Sequence, residues 1–163
     1  MRALKVLAIV VVAALLLTLG MVGYFYATAR VTIAAWKAEG APATQQAELF
    51  EQLKSQVRDE TFAGTLFQTG ELGNAEDYAF ITYTLRLSNQ CLVPMDTVEV
   101  RVVPGEGDVL QIGDPQAHSL GSKSQGDITA TILTSKDSHA IRELIVTYYV
   151  WGVSFSISDT YGG

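Results

Sequence analysis

The sequence predicts a mainly β protein: an antiparallel β-sandwich carried behind one N-terminal membrane-spanning helix and a short amphipathic helix. Three observations predict it. An uninterrupted apolar run fills residues 6–27. Apolar residues recur at helical spacing over residues 44–60. From residue 61 onward the pattern changes to short strand-like runs, several of them alternating, separated by turn signals every 8–12 residues, with no helical pattern between the strands.

The first 29 residues carry only two charges, Arg2 and Lys5, and Val6–Ala29 carries none. About 20 apolar residues at 1.5 Å each cross a hydrocarbon core of roughly 30 Å, so the run from Val6 to Ala27 is long enough to span. It is apolar all round, unlike a surface helix, which needs a polar face. Tyr24, Phe25 and Tyr26 gather at its far end, where amphipathic rings sit at headgroup depth. Ala27-Thr28-Ala29 also has the small-x-small form of a signal-peptide cleavage site, so a trimmed leader competes with a retained anchor. The length of the run and its bulky aromatics favour retention. Arg2, Lys5 and the α-amino group on one side face Arg30 and Lys37 on the other. The positive-inside rule then puts the N-terminus in the cytoplasm and the C-terminal domain outside.

The expected organisation is an anchor over residues 1–29, a juxtamembrane stalk over 30–43, an amphipathic helix over 44–60 and a sandwich over 61–163. Arg30–Glu39 is expected to extend the helix or form a stalk, with Gly40-Ala41-Pro42 as a hinge. Thr44 is the expected N-cap of the next helix, whose apolar stripe is Ala47, Leu49, Phe50, Leu53 and Val57. That stripe suits a helix covering one end or edge of a sheet.

About seven strands follow, over residues 61–69, 77–89, 97–103, 109–112, 125–134, 142–151 and from 153 on. The second is the clearest: Ala79, Ile81, Tyr83, Leu85 and Leu87 share one face and Thr82, Thr84, Arg86 and Ser88 the other. Pro104-Gly105-Glu106-Gly107-Asp108 reads as a tight turn, and Gly152 as a bend or bulge. Seven short strands of this kind fit an Ig-like or fibronectin-III-like sandwich, with a barrel as the alternative. The stretches Tyr83–Asn89, Val98–Val102 and Leu120–Gly126, the last leading into the strand Asp127–Leu133, resemble the FxLYD-type and other small Ig-like domains of bacterial envelope proteins, although the FxLYD tetrapeptide itself is absent. The resemblance implies an accessory or binding module, and brings no catalytic residues with it.

Chemistry is sparse. After residue 29, nine Lys/Arg face seventeen Asp/Glu, a net charge of −8 that repels phosphate backbones and argues against nucleic acid as a partner. The lone Cys91 forms no intrachain disulfide and reads as a small buried hydrophobe. His118 and His139 lie in polar, turn-rich segments and read as solvent-exposed loop residues. No G-x-S-x-G elbow accompanies them. The acidic turns at Asn74–Asp77 and Gly105–Asp108 do not match a calcium-loop spacing, so no cofactor or metal is expected. The candidate contact residues are Tyr148, Tyr149 and Trp151, large rings on both faces of one strand, for a partner. Gly20 and Gly23 are candidates for helix–helix contact in the membrane.

The expectation is a non-enzymatic, single-pass module held to the bilayer through residues 6–27, binding a protein or surface polymer outside the cell. The alternative is a structural subunit of a membrane complex assembled through its helix.

Overall fold

Helix α1 (Arg2–Thr28) is the first element of the computed structural model, which describes residues 2–28, 30–114 and 118–162. Within its stretch from Arg2 to Phe25, the 18 most apolar residues reach a mean hydropathy of 2.8 and are 0% buried in the protein. A helix that is apolar on every side has no face to spare for a domain, and α1 accordingly leaves its Leu and Val side chains uncovered. The hydroxyl of Thr18 donates to the Ala14 carbonyl at 2.9 Å, which satisfies it inside its own helix. Ala29, the end of the alternative small-x-small cleavage site, and the side chain of Tyr26 lie outside the described residues.

The stalk expected over residues 30–43 is instead a strand. β1 (Val31–Pro42) pairs antiparallel with β3 (Tyr78–Asn89) from Val31 opposite Asn89 to Pro42 opposite Ala79. A bulge between Ile33 and Ala35 shifts its register. Val31, Ile33, Trp36 and Ala38 pack on the sandwich core. β1 is an edge strand. Exposed Lys37 and Glu39 pair at 2.7 Å on it, and Pro42 sits at its end, where no ladder donor is needed.

A 3-10 turn over Ala43–Gln46 leads into α2 (Ala47–Arg58). Thr44 falls inside that turn rather than capping the helix; Gln46 stands at the cap without a side-chain hydrogen bond. Of the apolar stripe read from the sequence, Phe50 and Leu53 are buried and Leu49 and Val57 half-buried, while Ala47 is exposed. Phe50 and Leu53 close over Phe80, Leu110 and Leu133, forming a second core on the outside of the sheet. α2 therefore covers a face.

The remaining strands are β2 (Gly64–Leu66), β4 (Met95–Val102), β5 (Asp108–Ile112), β6 (His118–Leu120), β7 (Gln125–Ser135), β8 (Arg142–Val150) and β9 (Val153–Tyr161). Nine strands are described against about seven expected, the additions being β1 and β6. They form two antiparallel sheets, ordered β1-β3-β7-β5-β2 and β6-β4-β8-β9. The runs β1-β3-β7-β5 and β4-β8-β9 reproduce the A-B-E-D and C-F-G orders of an Ig-like sandwich. Between the sheets, Tyr83, Leu85 and Leu87 of β3 and Ile132 of β7 meet Val102 of β4 and Leu144 and Val146 of β8, all fully buried.

Candidate functional site

The hairpin of β8 and β9 holds the three aromatic residues singled out from the sequence, and the alternation of β8 separates them. Arg142, Leu144, Val146, Tyr148 and Val150 point inward, so Tyr148 belongs to the core, not to a partner surface. Its ring stacks on Phe155 at 5.7 Å, and burial pushes its phenol above the ordinary value. Tyr149 points the opposite way and is half-buried on the outer face. Trp151 lies at the hairpin tip, 53% exposed, its ring edge-on to Phe25 of α1 at 5.8 Å. Gly152 closes the hairpin, so it is a turn residue and not a bulge within a longer strand. Trp151 and Gly152 have φ of 50° and 78°, the left-handed pair that a two-residue type I′ turn requires and that Asn-Gly normally fills. A Trp there carries a steric cost of about 1–2 kcal/mol. Trp151→Asn is therefore expected to raise the melting temperature of the domain, read by thermal denaturation.

A cleft of about 610 Å³ bridges the two sheets. Thr65, Gln111 and Thr129 line it from the first sheet, and Arg101, Thr147 and Tyr149 from the second. Its volume lies within the range of small-ligand pockets. Glu99 and Asp114 add negative charge to the lining, and His118 Nε2 meets Asp114 Oδ2 at 2.6 Å. His118 is thus a half-buried residue of β6 at this cleft, where a loop position was expected. His139 does lie in an exposed loop, with Nδ1 3.3 Å from Arg142 Nη1.

The strongest electrostatic feature lies beneath the turn of residues 104–108. Arg142 donates to Asp108 through Nε at 2.7 Å and Nη2 at 2.8 Å, with side chains 3% and 0% exposed. Arg142 Nη1 also donates to the carbonyls of His139 and Ile141, and the Gly105 N–H donates to Asp108 Oδ2. Burial alone would raise the Asp108 carboxyl, but the hydrogen bonds from Arg142 and Gly105 outweigh it and hold the group below its usual range. Beside this pair, burial pushes the Tyr83 phenol up to about 12, and its hydroxyl donates to the Ala140 carbonyl at 2.9 Å. Both Asp108 oxygens are thus committed to structure, which removes them as metal ligands. Among the described residues no group of three His, Cys, Asp or Glu side chains could hold a metal ion.

Cys91 is buried, and the Arg30 N–H points at its sulfur at 3.1 Å. A Cβ added at Gly20 or Gly23 would meet nothing within 4 Å, so both stand on open helix surface. The cleft and the Asp108–Arg142 pair escaped the sequence. The signal for the pair was present: an Arg in the inward register of an apolar strand demands a buried carboxylate.

No family model and no curated protein matches the chain. Among solved structures it is similar to the crystal structure of the yeast GGA1 GAE domain, with a TM-score of 0.36 and 16% identity, over 55% of this chain and 94% of that one. The sandwich assignment itself rests on the strand order and register above.

Proposed function

We propose that the chain is a membrane-tethered, non-enzymatic binding module, with α1 spanning a bilayer and the sandwich displayed outside the cell to hold another protein or a surface polymer. The observation that carries this reading is α1: its 18 most apolar residues reach a mean hydropathy of 2.8, and none of these is buried by the domain they precede. Leaving so many large apolar side chains in water is costly, at about 25 cal/mol per Å². A bilayer removes that cost. The cleft of Arg101, Thr147 and Tyr149 is the binding surface in this reading, since it combines a half-buried aromatic with charges of both signs.

Alkaline carbonate extraction and protease treatment of intact cells test the proposal together. The chain should stay in the membrane pellet, and the sandwich should be digested without permeabilisation. Release by carbonate would remove the tether; protection until permeabilisation would put the domain on the cytoplasmic side.

A further inference from the structure

We propose that the end of the sandwich nearest α1 is itself seated in the bilayer interface, with Trp151, Leu92 and Val153 as the inserted groups. The inference rests on the tether reading and adds a second membrane contact to it.

The hydrogen bonds place three turns around the junction of α1 with β1. The Gln90 N–H donates to the Arg30 carbonyl at 3.2 Å, and the Lys123 N–H to the Cys91 carbonyl at 3.0 Å. The turns after β3 and after β6 therefore flank the first residues of β1. The tip of the β8–β9 hairpin lies at the same end, because Tyr149 stands opposite Asp96 at the start of β4. Its Trp151 touches Phe25 on α1 itself.

Exposure is concentrated there. Beyond α1, five large hydrophobic side chains are exposed among the described residues: Leu66, Leu92, Ile141, Trp151 and Val153. Three of the five occupy this one end, with exposures of 64%, 53% and 44% for Leu92, Trp151 and Val153. The turn bearing Trp151 is one that Asn-Gly would satisfy at lower steric cost, yet it carries the largest side chain available.

Depth decides the occupant. At 1.5 Å per residue, Arg2–Phe25 spans about 36 Å, more than the hydrocarbon thickness of roughly 30 Å and less than the full bilayer. Phe25 then lies in the headgroup layer, and so does the Trp151 ring against it, at the depth where Trp is favoured. The chain is acidic, with net charge −6, so the contact is apolar and needs no anionic lipid.

The protein contains two tryptophans, which makes the test direct. Trp36 is half-buried, five positions along β1 from Val31, and lies near Tyr161 with ring centroids 6.4 Å apart. The full-length Trp36→Phe chain, reconstituted in phosphatidylcholine vesicles with brominated acyl chains, should lose at least half of its Trp151 emission relative to unbrominated vesicles. The Trp151→Phe chain, reporting Trp36 alone, should lose little. Equal, weak quenching of both chains, with the protein still resistant to carbonate extraction, overturns the interfacial contact and leaves the tether intact. Release of the protein from the vesicles by carbonate overturns the tether reading, and this inference with it.

Discussion

Arg142→Ala is expected to destabilise the domain by about 3–5 kcal/mol, because it strands the Asp108 carboxylate in a site where its side chain is 0% exposed. Two carbonyls and a paired carboxylate would lose their donor at once. Replacing both partners, as in Asp108→Asn with Arg142→Met, should recover most of the loss, since removing a buried pair together avoids the unpaired charge. The pH dependence has a fixed sign. The folded state holds Asp108 below the usual carboxylate range, so the unfolded state binds its proton first as pH falls. The contribution of the pair is complete above about pH 4 and is lost as pH falls through the folded-state value. Urea unfolding at pH 7, 5 and 3 should show this decline in the parent and a flatter profile in the double variant. Equal acid slopes in both would separate Asp108 from the effect.

Phe50→Ala is expected to cost a further 3–5 kcal/mol or so, the usual range for deleting a fully buried aromatic. Phe50 is 0% exposed and packs 5.6 Å from the Tyr78 ring, with Leu53, Phe80, Leu110 and Leu133 completing the cluster. This cluster is separate from the core between the sheets, so the loss should first appear as local release of α2. Hydrogen exchange should show the α2 amides losing protection before those of β3 and β8. Uniform loss across all three would mean that the two cores unfold as one unit.

The parts of this fold that were legible in the sequence are those whose pattern is unbroken. β3 alternates and the α2 stripe repeats at helical spacing, and β8 stands out instead as a continuous β-branched and aromatic run. β1 was missed for a definite reason. Its bulge at Ile33/Ala35 changes the inward step from Val31 to Ile33 into Ile33 to Trp36, a spacing of three that mimics a helix. Its Ala, Lys and Glu content, directly after an apolar helix, reinforced that reading. β6 is three residues long and pairs with a bulged partner, too short for any period to register. The site was less legible because it depends on which strands become neighbours. Arg101, Thr147 and Tyr149 meet only through the β4–β8 register, and Asp108 and Arg142 stand 34 positions apart. Tyr148 and Tyr149 were known to face opposite ways, but only the sheet order settles which of them is inward.

The splice of α1 into β1 also sets how far the protein can reach. Thr28 ends the helix and Val31 begins a strand that is zipped to β3 along its length, so there is almost no slack between them. A flexible linker of twenty residues would let a domain sweep tens of ångströms; this one cannot. With α1 in a bilayer, β1 rises at most about 40 Å, its 12 residues at roughly 3.3 Å each. A molecule held by the sandwich would then sit within about that height of the lipid.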